Sequence, residues 1–206
     1  MVPLLIIGIV LGLAAVPAIW AQAVAVVRRR STDGLSPAFV VMWAWSAATW
    51  AAHGALHHNV AQVALELSSF VAVLLMLGVL IRSGRLGLVR AGATTAVYAV
   101  ALLALAVLGG RGGVGAAATV IAVSCRVPQV RESWRNPSGG AISTGGFLLG
   151  ATVDGMWVLN GILVHDTVTI AVSAVCAAHG AFVGGRALLA RQPGRRAAVL
   201  APLAAG

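Results

Sequence analysis

The sequence contains no lysine, and it has few charged residues of any kind. Charged residues make up 9% of the 206 residues, only five are acidic, and every basic residue is an arginine. Without lysine, the chain cannot form a Schiff base through a side-chain amine. It also cannot contain the Gly-x-x-x-x-Gly-Lys loop that binds nucleotide phosphates. A retinal-binding protein and a P-loop nucleotide site are therefore excluded.

Apolar residues make up 60% of the chain and fall into long runs that polar breaks separate. A membrane-spanning helix needs about 20 mainly apolar residues. No polar stretch is long enough to fold as a separate soluble domain. The sequence predicts an all-α membrane protein with seven transmembrane helices, at 3–27, 36–56, 60–82, 87–109, 113–131, 142–164 and 167–190.

The net charge of +9 predicts a membrane orientation, because the arginines lie between apolar runs on one side of the predicted topology. That side holds Arg28, Arg29, Arg30, Arg82, Arg85, Arg90, Arg126, Arg131, Arg135, Arg186, Arg191, Arg195 and Arg196, and the other side holds Arg111. Cytoplasmic loops of membrane proteins are enriched in arginine and lysine. We therefore expect a multi-pass protein of the cell membrane, embedded in the lipid bilayer, with the N-terminus outside and a disordered cytoplasmic tail at 192–206. Nucleic acid is not an expected partner.

An internal repeat relates the two halves of the sequence. At a spacing of 107 residues, Ser36, Trp50, Gly54, Leu56 and Gly78 match Ser143, Trp157, Gly161, Leu163 and Gly185. At a spacing of 111, the pair Val16-Pro17 matches Val127-Pro128. Both predicted copies carry arginine in their first loop, so both face the same way. The sequence predicts two parallel three-helix repeats at 1–84 and 111–191, joined by a linker helix at 85–110, with a site between them.

These features resemble the SWEET and PQ-loop families of membrane transporters. Arg126-Val-Pro-Gln-Val130 is similar to the Pro-Gln element, and the strings that begin at Trp50 and Trp157 are similar to the motif of each family repeat. At the family's paired asparagine positions this sequence has Glu66 and Ser173. The resemblance covers nearly the whole chain. It implies seven helices and transport of a small solute, with sugar favoured.

Six residues are the predicted substrate-binding set, and they are Trp50, Trp157, Glu66, Ser173, Asn160 and His53. At 1.5 Å per residue along each helix, both tryptophans, Glu66 and Ser173 fall at one depth, slightly outside the membrane midplane. An indole ring packs on the C–H face of a sugar, and its N–H donates a hydrogen bond. The alternative interpretation of the tryptophans is a bulky core or interface residue.

The two membrane-embedded acids, Glu66 and Asp154, are the candidates for proton coupling. A carboxylate at the centre of a membrane helix costs about 2.5–3.5 kcal/mol on insertion scales. Each acid is therefore expected to face a cavity, pair with a partner or stay protonated. Asp154 could instead pair with Arg126 or with a histidine.

Three prolines, Pro17, Pro37 and Pro128, are the candidate hinges, because proline removes a helical hydrogen bond and permits bending. Static kinks are the alternative. His53, His57 and His58 have a spacing that could hold a metal. No second cluster of histidine or cysteine accompanies them, so neither a metal nor a cofactor is predicted.

The sequence predicts a transporter that moves a small polar solute, most favourably a mono- or disaccharide, by alternating access. A proton-coupled amino-acid carrier of the PQ-loop group and a non-transporting membrane receptor are the alternatives. An enzyme is not expected, because no Gly-x-Ser-x-Gly string or metal motif brings serine, histidine and acid together. A homo-oligomer is left open.

Overall fold

The computed structural model describes residues 2–136, 140–163, 165 and 167–192, and these residues are helical with no strand among them. Seven helices follow one another in these ranges: α1 (Val2–Arg29), α2 (Pro37–Leu56), α3 (Val60–Arg82), α4 (Leu88–Ser124), α5 (Arg126–Arg135), α6 (Thr144–Leu163) and α7 (Thr167–Arg191). The predicted tail lies almost entirely at 193–206, outside the described residues. The prediction of an all-helical chain is confirmed.

Five segments of the described chain are long and apolar enough to cross a membrane. They are Gln62–Arg82, Ala91–Gly110, Gly112–Arg135, Thr144–Leu163 and Thr167–Arg191. Inside a bilayer no water is available to hydrogen-bond the backbone, so a crossing segment satisfies its own peptide groups as a helix. The fold is compatible with a multi-pass membrane protein.

The helix ends follow from local sequence chemistry. Ser36 caps α2 by accepting a hydrogen bond from the backbone N–H of Phe39, and Pro37 occupies the first turn. Proline is favoured there because its missing N–H would have no helical partner. Asn59 caps α3 in the same way, by accepting from the N–H of Gln62 at 3.1 Å. These caps place the starts of α2 and α3 within one residue of where the sequence predicted them.

Helix α4 contains a break at Gly110, whose φ of 55° and ψ of −139° are not helical. L-residues rarely adopt a positive φ, whereas glycine does so without strain. A Cβ on Gly113 would overlap the carbonyl oxygen of Leu105, so the chain also needs glycine after the break. The break falls in the loop predicted between the fourth and fifth apolar runs. It divides α4 into segments 88–109 and 111–124.

Helix pairs pack in an order that leaves space in the middle of the bundle. Helix α6 packs on α7, α2 packs on α3 and on α4, and α1 contacts both α3 and α6. The fully buried apolar side chains lie near the α1–α2 loop and include Leu35, Phe39, Val40, Met76 and Ile142. By contrast, the most apolar window of Ala91–Gly110 has no buried residue, as expected for a helix that faces lipid.

We predict that Gly180→Ala destabilises the contact between α6 and α7. A Cβ on Gly180 would lie 2.8 Å from the carbonyl oxygen of Phe147 and 3.1 Å from the Cβ of Ala151, so the two helices must separate. Overpacking of this kind costs about 1–3 kcal/mol. The thermal midpoint of the purified protein in one detergent measures the effect.

Gly185→Ala is the matched control, because a Cβ at Gly185 meets no atom within 4 Å. Alanine favours a helix over glycine by about 0.5–1 kcal/mol, so this variant is expected to be neutral or slightly more stable. Equal midpoints for the two variants would contradict the close packing of α6 on α7.

Candidate functional site

A cavity of about 1170 Å³ lies between the helices, and all seven helices contribute to its wall. Its lining residues at one end, such as His57 and Asn59, are exposed to solvent, whereas Gln22 and Phe39 at the other end are buried. The cavity therefore opens toward the turn between α2 and α3. It is closed toward the loop between α1 and α2.

The structure brings the predicted binding residues together in this cavity. Its wall includes Trp50, Trp157, Glu66, Ser173, Asn160, His53 and Asp154. They come from four helices, α2, α3, α6 and α7, so their proximity depends on the tertiary fold rather than on sequence spacing. Their chemistry combines two indole rings, two carboxyl groups and several neutral hydrogen-bonding groups.

Two aromatic contacts fix the position of His53 in the wall. The indole of Trp50 meets the imidazole edge-on, with ring centroids 5.4 Å apart and an interplanar angle of 88°. The ring of His57 lies 4.4 Å from the same imidazole. On the facing helix, a Cβ on Gly115 would lie 3.2 Å from the Cε1 atom of His53, so a glycine there gives the imidazole its space.

Arg126 also lines the cavity, although the sequence analysis named it as an orientation charge and a possible partner of Asp154 and not as a binding residue. It is the one arginine among the described lining residues, which also include Cys176. The guanidinium carbon lies 6.0 Å from the ring centroid of Phe39, within the range of a cation–π contact. Its charge also interacts with Glu66 and Asp154.

Neither acid forms a close ion pair with Arg126. The ion pair within 4 Å in the described part of the chain joins Arg85 and Glu132, at 3.8 Å and away from the cavity. Asp154 therefore does not form the ion pair with Arg126 that was the alternative, and the two side chains interact only over a longer distance. The cavity keeps one positive and two acidic side chains without direct neutralisation.

Three polar atoms that line the cavity are buried without a hydrogen-bond partner: Arg126 Nε, Asn160 Oδ1 and His179 Nε2. Buried polar groups in proteins are nearly always hydrogen-bonded, to the protein or to water. The imidazole of His179 lies between two phenyl rings, at 5.6 Å from Phe39 and 5.7 Å from Phe147. These atoms offer a donor, an acceptor and an imidazole nitrogen to a bound molecule or to water.

The three prolines lie apart from the cavity wall. Pro17 is inside α1 and is exposed, Pro37 is the first residue of α2, and Pro128 is the third residue of α5. None of them is among the described lining residues. A proline in the first turn of a helix removes no helical hydrogen bond. Of the three, Pro17 therefore has the position at which a helix bends most readily.

Two glutamines, Gln22 and Gln129, cross-link the closed end of the cavity, and we call them the glutamine pair. The side chain of Gln129 accepts from the N–H of Ser36 and donates to the carbonyl of Gly34, each at 2.9 Å. The side chain of Gln22 accepts from the N–H of Ser143 at 2.8 Å and donates to the carbonyl of Ala141 at 2.9 Å. Each glutamine therefore binds the loop that precedes a helix of the other half of the chain.

Arginines from α1 and α7 reinforce the same end by donating to the loop before α6 and to α5. Arg191 donates to the carbonyl of Ile142 at 2.7 Å and to the hydroxyl of Thr144 at 2.9 Å, and Arg29 donates to the carbonyl of Gly140. Arg186 donates to the carbonyl of Trp134 at 3.1 Å and stacks over its ring at 4.6 Å. The basic residues at this end are thus structural donors as well as charges.

Metal binding finds no support in the described ranges, where no group of three or more histidine, cysteine or acidic side chains could hold an ion. No family model matches the chain, and a search of curated proteins finds no match.

Proposed function

We propose that this protein is a membrane transporter that moves a small polar solute by alternating access between two three-helix units. The observation that carries the proposal is the cavity of about 1170 Å³, whose wall, inside an apolar helical bundle, includes charged and polar side chains. Charged and polar side chains at membrane depth are costly and mark pathways for solutes or ions. The proposal includes seven membrane crossings and membership of the SWEET and PQ-loop group.

The hydrogen bonds of the glutamine pair support the two-unit architecture. Residues 22 and 129, 34 and 141, and 36 and 143 each differ by 107, the spacing found in the sequence repeat. The same contact thus occurs twice with the halves exchanged, as two parallel copies around a twofold axis require. In this register Ala21, rather than Pro17, is the counterpart of Pro128. The match of Val16-Pro17 with Val127-Pro128, at a spacing of 111, lies outside this register.

The charge distribution supports an orientation with the closed end in the cytoplasm. Arg28 and Arg29 end α1, Arg30 follows it, and Arg135 ends α5, at the end that the glutamine pair closes. Because basic residues accumulate on the cytoplasmic side, the cavity would open to the outside. The structure would then represent the outward-facing state of the transport cycle.

Transport requires the closed end to open while the other end closes. The solute would bind between Trp50 and Trp157, where their indole faces supply apolar walls and their N–H groups supply donors. Opening would break the contacts of Gln22 and Gln129. Bending at Pro17 would let the adjoining helix end move.

Amino-acid transport coupled to protons is the second candidate, and the two acids favour it. Glu66 and Asp154 both line the cavity, where a carboxylate can accept an ammonium group or carry a proton. Two indoles without these acids would favour a neutral sugar. The acids therefore keep both substrate classes within the proposal.

Flux of labelled sugars and amino acids into proteoliposomes, at two pH values, tests the proposal. Accumulation of one solute above protein-free liposomes supports transport. A flux that increases with an inward proton gradient and is specific to amino acids supports the second candidate. Saturable binding without flux for any solute would replace the transporter with a receptor.

A further inference from the structure

We propose that the inner part of the cavity is a carboxylate-binding subsite in which Arg126 is the anchor. The subsite would select solutes that carry a carboxylate, either an α-amino acid or a sugar acid, over their neutral counterparts. The inference rests on the proposed transport function, because it concerns the solute of the same cavity.

The guanidinium of Arg126 has an unused hydrogen-bond donor at this position. Its guanidinium has five N–H donors in a planar fork, which matches the two oxygens of a carboxylate. Its guanidinium carbon lies over the ring of Phe39, and its Nε atom is buried without a hydrogen-bond partner. A carboxylate is the ligand that completes such a fork with paired, charge-assisted hydrogen bonds.

The unpaired charge of Arg126 also favours an anionic ligand. A charged side chain inside a membrane bundle is costly unless it is paired, and no acid lies within ion-pair distance of Arg126 in the described structure. A neutral solute would leave that charge as it is. An anionic group within hydrogen-bond distance would neutralise it directly, which Glu66 and Asp154 do not do.

The two acids of the cavity define what else the solute can carry. At 1.5 Å per residue, Arg126 lies about 20 Å from Gly113 along the Gly112–Arg135 segment. Asp154 lies about 15 Å from the start of α6, which is at the opposite end of the bundle. In a hydrocarbon layer of about 30 Å, these depths put the two side chains within roughly 6 Å of each other along the membrane normal. An ammonium next to the bound carboxylate would therefore be close to Asp154. A sugar acid would instead direct its hydroxyls toward Asp154 and Asn160.

The thiol of Cys176 can report whether this subsite is occupied. Cys176 lines the same cavity as Arg126, so a carboxylate bound to the guanidinium would restrict access to the thiol. The second cysteine, Cys125, is buried outside the lining and donates to the carbonyl of Ala122. Cys125→Ser keeps a donor for that bond and leaves Cys176 as the single thiol of the chain.

The experiment measures the rate at which N-ethylmaleimide labels Cys176 in full-length Cys125→Ser protein, with matched solute pairs. Glucuronate is compared with glucose, and alanine with alaninamide, because each pair differs in the carboxylate. We expect at least one carboxylate to protect at a concentration about tenfold lower than its counterpart without the carboxylate, given the strength of charge-assisted hydrogen bonds. Protection by alanine alone identifies an amino acid, and protection by glucuronate alone identifies a sugar acid.

Arg126→Gln is expected to remove the difference within each pair, and Arg126→Lys to retain part of it. The wild-type comparison stands without these variants if either fails to fold. Equal protection within both pairs, no protection by any carboxylate, or a carboxylate preference that survives in folded Arg126→Gln would overturn the subsite. Protection of Cys176 without flux would support the subsite and reject transport. Flux of neutral solutes alone would support transport and reject the subsite.

Discussion

Replacing Gln129 with alanine is expected to open the end of the cavity that the glutamine pair closes. The variant removes hydrogen bonds to the Ser36 N–H and the Gly34 carbonyl, and it leaves both backbone groups buried without a partner. Each unsatisfied group costs about 1–3 kcal/mol. A loss of about 3 kcal/mol shifts the ratio of closed to open molecules about a hundredfold.

Labelling of Cys176 by a membrane-impermeant thiol reagent measures this shift. In Cys125→Ser protein, the reagent is expected to reach Cys176 only from the side of the α2–α3 turn. Adding Gln129→Ala is expected to permit labelling from both sides. The Gln22→Ala variant should behave alike, because Gln22 makes the equivalent contacts with Ala141 and Ser143.

Gln192→Ala is the matched control, because Gln192 is exposed beyond the end of α7. It should label as the parent protein does. Labelling of the Gln129 variant from one side only, in protein with an unchanged thermal midpoint, would mean that the glutamine pair does not hold this end closed.

Trp157→Ala is expected to reduce solute flux at least tenfold at concentrations below saturation. The ring lines the cavity from α6, and its loss removes one apolar wall together with an indole N–H donor. A tenfold loss corresponds to about 1.4 kcal/mol, a modest part of what burial of an aromatic ring contributes. Trp157→Phe keeps the ring face and should retain most of the flux.

Initial uptake rates in proteoliposomes, normalised to the amount of folded protein, give the comparison. Trp134→Ala is the control outside the cavity, because Trp134 stacks on Phe182 and beneath Arg186 at the surface of α5. Its flux per folded molecule should match wild type. If Trp157→Ala transports at the wild-type rate, the two indoles do not form the solute site.

Most helix positions could be predicted from the sequence because bilayer thickness sets the length of an apolar run. The predicted runs at 36–56, 60–82 and 167–190 differ by at most one residue at each end from α2, α3 and α7. The fifth run was expected to end at Arg131, but α5 continues to Arg135. Charged residues end the apolar pattern without ending the helix, since their side chains can reach the aqueous boundary.

The site residues that could be predicted were those that are expensive in a membrane or repeated. Glu66 and Asp154 have the first property, and Trp50 and Trp157 have the second. Arg126 was missed because arginine near a helix end normally reports orientation. Its distance from Gly113, about 20 Å along the helix, was the signal that it lies too deep for a loop charge.

The glutamine pair was missed for a different reason. The sequence comparison matched the proline of Pro128-Gln129 with Pro17, at a spacing of 111. The glutamines themselves repeat at 107, together with Ser36 and Ser143. Periodicity alone does not indicate which of two neighbouring residues makes the conserved contact, because that depends on which side chain reaches the opposite loop.

The exchange of contacts within the glutamine pair has a consequence for how the two halves could separate. Each half of the chain contributes one glutamine and one loop to these contacts, so the two halves have equivalent roles. An intermediate with one glutamine released would still be tethered by the other and would expose unsatisfied backbone without any gain in passage. In the proposed transport cycle, simultaneous release of both glutamines would therefore make opening of this end a single concerted step.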